Sequence, residues 1–317
     1  MSGASIADAY ERHDESIRRF IPSHYQDPAH LKQAVQLASS RRPHTAALEQ
    51  IAADGCAHEA QRHALEKLAR PGSVAVLTGQ QAGLFISPVL AAYKALAAVA
   101  AAQHIETTTG SPAVPVFWIQ AEDHDFEEIR STYLLSSTDT VELVALPGDH
   151  PPHTSVFTHI LGSSIDDVMA QVETRCAGQP FLPSIMNQLR AAYRPGISIV
   201  SAFQLLMNEW FGKFGLLTFQ PTHADVRSAL QPVFSKALDD SNHIAALLTQ
   251  RNALLEQTGL TPTVHVRDDS PLFFVHPDGA SGPRYRIQRL PTGEYGYVGT
   301  ERPALAKQKL LGWLDGG

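Results

Sequence analysis

The residues best suited to chemistry are the consecutive polar side chains Glu122, Asp123, His124 and Asp125. Carboxylates beside an imidazole can orient it and make it a general acid or base. The same group could bind a divalent metal through His124, although no histidine repeat supplies further ligands. In an extended segment His124 would point away from both aspartates, and a solvated first helical turn is the simplest alternative. We predict a polar ligand site without a metal, with His124, Asp123 and Asp125 as catalytic candidates and Glu122 in ligand binding.

A second polar segment, TGQQAGLF at residues 78–85, follows a short apolar run. Gly79 and Gly83 would let the backbone approach a ligand closely. Gln80 and Gln81 offer amide donors and acceptors, and Thr78 adds a hydroxyl. The pattern is neither a Walker A sequence nor GxGxxG, so it does not by itself identify a nucleotide. We predict that these residues bind substrate or nucleotide.

Three further candidates lie close to these segments in the sequence. Ser87 and Pro88 suit the N-cap and first residue of a helix, whose free N–H groups would favour a carboxylate or phosphate. Lys94, two turns further on, could extend back to the same region. Trp118 ends the next apolar run, where a place in the core is favoured over a stacking surface.

A strand–helix–strand unit should position these side chains. The apolar runs 74–77 and 114–119 have the length of buried strands, and the alanine-rich segment from 87 to about 103 has high helix propensity. Strands joined by a helical crossover are normally parallel, which places the ends of both runs at one edge of the sheet. Residues 78–81 and 122–125 should therefore face one crevice. A third strand at 216–219, if parallel, would bring His223 and Asp225 to it.

The remaining pattern predicts an α/β protein with a Rossmann-like parallel sheet. We predict a helical lead-in at 1–72, a core at 73–225 with an insertion at 136–195, and a helix and short-strand region at 226–317. The predicted helices are 5–20, 28–39, 44–68, 164–176, 182–193, 198–214, 226–257 and 303–314. The additional predicted strands are 131–135, 140–146, 154–161, 263–266, 272–276 and 285–288.

Composition excludes several classes of protein. The 317 residues are 44% hydrophobic and 18% charged, which indicates a globular chain. A net charge of −7 argues against a nucleic-acid partner, and no apolar stretch is long enough to span a membrane. The start of the chain lacks the plan of a signal peptide. Two isolated cysteines, Cys56 and Cys176, argue against disulfides, so we expect a cytoplasmic protein.

Both polar segments together resemble the cysteine ligase (cysteine-adding enzyme) family of bacillithiol biosynthesis. That family carries TGQQ-x-GLF-x-GP, found here at 78–85 with Pro88, and PVFW-x-x-x-EDHDF-x-E, found here at 115–128. Ser87 stands where the family usually has glycine. The helical start of the chain, the 214–217 segment and residues 259–286 also resemble the family.

The resemblance implies a Rossmann-like core similar to nucleotidylyltransferases, with inserted connecting segments. It implies amide formation between the carboxyl group of cysteine and the amine of glucosaminyl-malate, with ATP as the energy source. On this reading 78–81 and the helix start at Ser87 hold phosphate or malate carboxylate, and His124 with Asp123 or Asp125 assists proton removal from the amine. The resemblance also implies dimerisation through a C-terminal coiled coil. This sequence ends before that segment.

Three other functions stay open at this point. A nucleotidylyltransferase-like enzyme could use the same crevice for another acceptor. The chain could also be a shortened, non-catalytic binding protein, since family members are longer. A metal-dependent hydrolase built on His124 comes last.

Overall fold

A computed structural model describes residues 4–41, 43, 45–267 and 271–313. Two compact units are present: residues 1–38, 227–275 and 285–317 form the first, and residues 39–226 and 276–284 the second. The helices are α1 (Ile6–Glu11), α2 (Glu15–Arg18), α3 (Pro28–Ser39), α4 (Thr45–Ala53), α5 (Glu59–Leu68), α6 (Leu90–Thr109), α7 (Phe126–Ile129), α8 (Ser164–Arg175), α9 (Leu182–Ala192), α10 (Ile199–Phe211), α11 (Ala224–Ala229), α12 (Gln231–Asp239), α13 (Ser241–Gln257) and α14 (Lys307–Gly312). The strands are β1 (Val74–Gln80), β2 (Ala113–Ile119), β3 (Ser131–Leu135), β4 (Val141–Ala145), β5 (Leu217–Phe219), β6 (Phe274–Val275), β7 (Tyr285–Arg289) and β8 (Tyr295–Tyr297).

A three-stranded parallel sheet in the order β1-β2-β5 is the centre of the second unit. Gly79 lies opposite Trp118 in the β1–β2 register, and Trp118 lies opposite Phe219 in β2–β5. The α/β class and the parallel pairing of β1 and β2 are therefore confirmed, and β5, whose direction the sequence left open, is also parallel to β2. β1 extends through Gln80, so residues 78–80, expected in a turn, belong to the strand.

Helix α6 packs on β1 and β2 through small side chains. Ala91, Ala95, Ala98 and Ala102 are buried at three- to four-residue spacing along one face. Because alanine adds little bulk, the helix backbone can lie close to the sheet. Gly110 ends the helix in the left-handed conformation, which glycine adopts without a Cβ penalty, seven residues beyond the predicted end at 103.

The expected helix start at Ser87 and Pro88 is wrong. The N-cap of α6 is Val89, and Ser87 is extended, with φ −78° and ψ 147°. Ser87 instead closes a 3₁₀ turn at Leu84–Ile86, because its N–H donates to the carbonyl of Leu84 at 3.1 Å. The free N–H groups of the helix therefore begin after Ser87.

Tyr193 supports this 3₁₀ turn from the core. Phe85 and Ile86 take positive φ values of 56° and 62°, which non-glycine residues seldom adopt. The backbone N–H of Phe85 donates to Tyr193 Oη at 3.1 Å, and the two rings meet edge to face. Burial raises the pKa of Tyr193 far above its ordinary range, so the hydroxyl stays protonated.

Removing this hydroxyl should destabilise the protein. Tyr193→Phe keeps the ring but leaves the Phe85 N–H buried without its acceptor, which costs about 1–2 kcal/mol of unfolding free energy. Chemical denaturation monitored by circular dichroism measures the change. Tyr133→Phe, at an exposed ring, is the control and should leave the unfolding free energy unchanged. Equal effects of the two variants would contradict the supporting role of Tyr193.

Residues 131–161 follow the prediction only in part. β3 and β4 form the expected strands and pair antiparallel as a separate two-stranded sheet. The strand predicted at 154–161 is wrong, because Val156–Thr158 forms a 3₁₀ turn between isolated bridges at Thr154 and Ile160. This segment pairs with the loop after β2: Val156 N donates to Asp123 O at 2.7 Å.

Several predicted helices are divided. The helix expected at 44–68 is α4 and α5, separated by Gly55 at φ 97°, and its first residue, His44, lies outside the described residues. The 226–257 run is α11, α12 and α13, because Leu230 and Asp240 interrupt it. The helix expected at 5–20 is α1 and α2. Helices α8, α9 and α10 agree with the prediction within a few residues.

The first unit contains an antiparallel sheet in the order β6-β7-β8. Ile287, Tyr295 and Tyr297 of this sheet are buried together with Leu238 of α12. Residues 263–266, predicted as a strand, have no regular structure, and β8 was not predicted. The final helix is α14, and Leu314 of the predicted 303–314 helix lies outside the described residues. The predicted boundaries at 72 and 225 stay predictions.

Three chemical features complete the description. Cys56 and Cys176 are both free thiols. Across the described ranges, no three His, Cys, Asp or Glu side chains are grouped in a way that could hold a metal ion. No helix in the described part of the chain combines the length and apolar character needed to cross a membrane.

Candidate functional site

The two polar segments meet at the carboxyl ends of β1 and β2. Gln81 Nε2 donates to Asp123 Oδ2 at 2.8 Å and to Glu128 Oε2 at 2.8 Å. This confirms that residues 78–81 and 122–125 face one crevice. The cause is the parallel pairing of the two strands, which ends both at the same edge.

A pocket of about 590 Å³ opens beside this contact. Its lining contains six residues predicted from the sequence: Thr78, Gly79, Gln80, Gln81, Trp118 and Asp123. Leu77 and Gln120 also line it and were not predicted. Leu77 is 62% exposed, although parallel strands usually bury their apolar side chains. The pocket therefore combines amide and carboxylate groups with an apolar wall formed by Leu77 and Trp118.

Gly79 lets the end of β1 lie close to β2. A Cβ atom at this position would lie 2.7 Å from the backbone oxygen of Trp118, closer than real Cβ contacts. Lys94 extends back as predicted: its Nζ donates to Gly79 O at 3.1 Å and to Gln80 Oε1 at 2.8 Å. The ammonium group therefore holds the end of β1 and the side chain of Gln80.

Gly83 and Ser87 lie together in the turn before α6. Gly83 approaches Ser87 so closely that a Cβ atom would lie 1.8 Å from the Ser87 oxygen. Neither residue belongs to the described lining of the pocket. Their contact fixes the path of the chain just after Gln81.

The acidic loop, residues 122–125, is not extended, so His124 does not point away from Asp123 as an extended segment would require. His124 Nδ1 lies 3.2 Å from Asp123 Oδ1, and the backbone N–H of His124 donates to the same oxygen at 2.7 Å. Asp125 caps α7 by accepting a hydrogen bond from Glu128 N at 3.1 Å. The backbone oxygen of Glu122 accepts from Ser155 Oγ at 2.9 Å, while its side chain is exposed.

Arg284 is the functional candidate that the sequence did not reveal. Its guanidinium donates to Glu122 O at 3.0 Å and lies 3.4 Å from Asp123 Oδ1 and 2.5 Å from His124 Nδ1. Its backbone N–H donates to His153 O at 2.8 Å. No local spacing signals this contact, because Arg284 is more than 150 positions from the loop in sequence.

Histidines that seem scattered in the sequence gather around the acidic loop. The ring centroids of His124 and His153 are 5.7 Å apart, and those of His150 and His159 are 5.3 Å apart. His276 Nε2 lies 3.3 Å from Ser155 Oγ. Burial, together with the nearby His150, lowers the pKa of His159 and favours its neutral form. The rings of His150 and His159 also contact Phe126, so these histidines lie beside the loop and the start of α7.

Hydrogen bonding keeps Asp123 ionised. Burial raises the pKa of Asp123, but hydrogen bonds from Gln81 and His124 and the charge of Arg284 lower it more strongly, so the net pKa is below the ordinary 3.8. Burial lowers the pKa of Arg284, which the carboxylates of Asp123 and Glu122 oppose. An arginine still stays charged near neutral pH. The loop therefore presents an ionised carboxylate between donor groups.

This depressed pKa predicts a pH-dependent contribution to stability. Since the folded pKa of Asp123 lies below its unfolded value, its contribution is complete well above about pH 3.8 and is lost as the pH falls through the folded pKa. Urea denaturation of the protein and Asp123→Asn from about pH 6 to about pH 3 measures this contribution. We expect the wild-type advantage in unfolding free energy to shrink below about pH 3.8. A difference that does not vary with pH would contradict the prediction.

We expected His223 to approach the crevice if β5 were parallel. Although β5 is parallel to β2, His223 is not part of the described pocket lining. His223 Nε2 lies 3.4 Å from Asp54 Oδ1, and Asp225 lies in the first turn of α11. Asp54 Oδ2 also accepts a hydrogen bond from Gln204 Nε2 at 2.9 Å, which in turn donates to Thr218 Oγ1 at 3.1 Å. His223 therefore lies beside Asp54, at the edge of a polar network next to β5.

Comparison with known proteins agrees with the fold. A family model described as bacillithiol biosynthesis BshC, N-terminal Rossmann-like domain, matches residues 2–314. A protein of Salinibacter ruber named "Putative cysteine ligase BshC" is 30% identical over 310 residues, which cover 95% of this chain and 55% of that protein. The protein of the same name in Koribacter versatilis is also 30% identical over 310 residues, covering 96% and 56%. This chain spans about half the length of these relatives. It belongs to the BshC family and matches the N-terminal Rossmann-like domain of that family.

Proposed function

We propose that this chain carries the reaction crevice of a ligase that joins the carboxyl group of cysteine to the amine of glucosaminyl-malate, the last step of bacillithiol synthesis. The supporting observation is the direct contact between Gln81 and Asp123, which unites both sequence motifs in one pocket. The names of the relatives support a cysteine ligase in general.

Amide synthesis from a free carboxylate needs activation. In the proposed reaction, a phosphoryl or adenylyl group of ATP is transferred to a carboxylate oxygen of cysteine, and ADP or pyrophosphate, respectively, is released. The amine nitrogen then attacks the carbonyl carbon, the C–N bond forms, and the activated oxygen leaves with phosphate or AMP. The amine loses a proton in the process. The protein must orient both substrates, stabilise negative charge and exclude water from the activated carboxyl group.

The residues of the pocket suit these tasks. The amide groups of Gln80 and Gln81 and the hydroxyl of Thr78 can orient polar substrate groups at the end of β1. Leu77 and Trp118 provide an apolar wall against which a substrate can pack. Lys94 stabilises the end of β1, because its ammonium group donates to Gly79 O and Gln80 Oε1.

We expect the charged groups beside the pocket to bind anionic substrate groups and to accept or donate protons. Asp123 is held ionised among donors, and Asp125 lies two residues further along the same loop. Arg284 is the cation nearest to Asp123 and His124 among the contacts described above. We assign the phosphates of ATP and the carboxylate of malate to this end of the crevice. The free thiols of Cys56 and Cys176 suit the reducing cytoplasm, which we include in the proposal.

Thiol analysis of the source cells tests the proposed function. We expect deletion of the gene to remove bacillithiol and to cause glucosaminyl-malate to accumulate, as measured by mass spectrometry of low-molecular-weight thiols. Reintroducing the unaltered gene should restore the thiol, which is the control. An unchanged thiol pool would overturn the proposal. Release of AMP or pyrophosphate by the purified protein without cysteine would instead favour a nucleotidylyltransferase-like activity.

A further inference from the structure

We propose that Arg284 fixes His124 as a hydrogen-bond donor, with the proton of the neutral imidazole on Nε2, directed at an anionic oxygen of the substrate. This differs from the sequence-based expectation that His124 removes a proton from the amine. The inference rests on the proposed function only for the identity of the substrate.

Two groups with opposite requirements lie next to Nδ1 of His124. Arg284 Nη2 is 2.5 Å away, and Asp123 Oδ1 is 3.2 Å away. A guanidinium can only donate, so it requires a lone pair on Nδ1, whereas a carboxylate would require a proton there. If Nδ1 carried a proton, that proton would face the N–H of Arg284 across the shorter of the two contacts. The arrangement therefore favours a lone pair on Nδ1.

Asp123 does not depend on a proton from the His124 ring. Its Oδ1 already accepts a hydrogen bond from the backbone N–H of His124 at 2.7 Å. The backbone N–H of Asp125 and the guanidinium of Arg284 each approach the same oxygen at 3.4 Å. Since these donors satisfy the carboxylate, Nδ1 can accept from Arg284, and the proton of the neutral ring lies on Nε2.

Arg284 is held in place from several sides. Its side chain is only 15% exposed, and its guanidinium also donates to Glu122 O at 3.0 Å. The backbone N–H of Arg284 donates to His153 O, and the ring of His153 stacks on that of His124. The segment at His153 therefore contacts both the backbone of Arg284 and one face of the His124 imidazole. Because Arg284 acts through His124, it is a positioning residue.

The fixed ring leaves one donor for a ligand. Nε2 lies on the ring edge opposite Cγ, away from the Nδ1 contacts, and the His124 side chain is 37% exposed. A neutral, pre-oriented N–H donor stabilises negative charge that develops on an oxygen. Carboxylates and phosphates share this chemistry. In the proposed reaction both are present, as the carboxylates of cysteine and malate and as the phosphates of ATP.

Nitrogen NMR of histidine measures the tautomer directly. We would label the full chain with ¹⁵N-histidine and assign the His124 signals by their loss in His124→Gln. The expected spectrum at neutral pH has a pyridine-type Nδ1 and a pyrrole-type Nε2. A pyrrole-type Nδ1 in the unaltered protein would overturn the inference, and this result needs no variant.

Variants of Arg284 test the cause of the tautomer. Arg284→Met should produce a mixture of both tautomers, while Arg284→Lys, which keeps a donor, should retain most of the Nε2–H form. Arg190→Met is a matched control, because Arg190 pairs with Glu173 on α8 and should leave the His124 signals unchanged. If Arg284→Met folds and keeps the wild-type tautomer, Arg284 does not set it.

Anionic probes then identify the oxygen that Nε2 contacts. Malate and inorganic phosphate are added separately to the labelled protein. A shift of the Nε2 signal with malate indicates a carboxylate, and a shift with phosphate indicates a nucleotide phosphate. No shift with either probe would overturn the donor role. The tautomer measurement needs no turnover, so its failure is distinct from an unchanged thiol pool, which overturns the proposed function.

Discussion

Asp123→Asn is expected, under the proposed ligase function, to lower the rate of cysteine addition by about 10²–10³-fold, the scale seen when one pre-oriented polar group is removed from an active site. The substitution keeps the shape of the side chain but removes its negative charge. Asparagine keeps a single, uncharged acceptor oxygen, so Gln81, Arg284 and the backbone N–H of His124 can no longer all donate to a carboxylate at this position. Formation of bacillithiol from cysteine, glucosaminyl-malate and ATP, followed by mass spectrometry, measures the effect.

Glu127→Gln is the matched control for this experiment. Glu127 also lies close to the acidic loop in sequence, but its carboxylate pairs with Arg130 at 2.8 Å and lies outside the described pocket lining. We expect its rate within about twofold of the unaltered protein, since an exposed ion pair contributes little. A cooperative thermal transition in both variants confirms folding. If Asp123→Asn folds and has the rate of the control, Asp123 has no part in the reaction.

Gly83→Ala is expected to reduce the unfolding free energy by about 3 kcal/mol, the upper part of the range for an inserted methyl group without space. The new Cβ would lie 1.8 Å from the backbone oxygen of Ser87. This oxygen cannot move easily, because the Ser87 N–H donates to Leu84 and the Ile86 N–H donates to Gly83. A shift here would also displace Gln81. Thermal unfolding should show a decrease in Tm of roughly 5 °C.

Gly162→Ala controls for the general effect of replacing a loop glycine. A Cβ at Gly162 would meet no atom within 4 Å, and its φ is compatible with alanine. We expect a change within about 0.5 kcal/mol. Equal Tm values for the two variants would show that the contact between Gly83 and Ser87 does not limit the turn.

The predicted elements that agree with the structure depend on local physics. Short apolar runs at β1 and β2 are joined by an alanine-rich helix, and this order by itself favours parallel strands with a shared edge. Element bounds were less well predicted, because caps depend on contacts. Ser87 looked like an N-cap by residue type, yet its approach to Gly83 places it in the preceding turn.

The sequence alone thus determined the strand–helix–strand unit, the shared crevice of Gln81 and Asp123, and the family resemblance. These features follow from residue type, spacing and the geometry of parallel strands. Only the tertiary structure brought Arg284 to His124, turned the imidazole toward Asp123 and directed His223 to Asp54. These contacts join residues far apart in the chain or depend on the bend of a loop. No local pattern encodes them, because long-range packing decides which side chains meet.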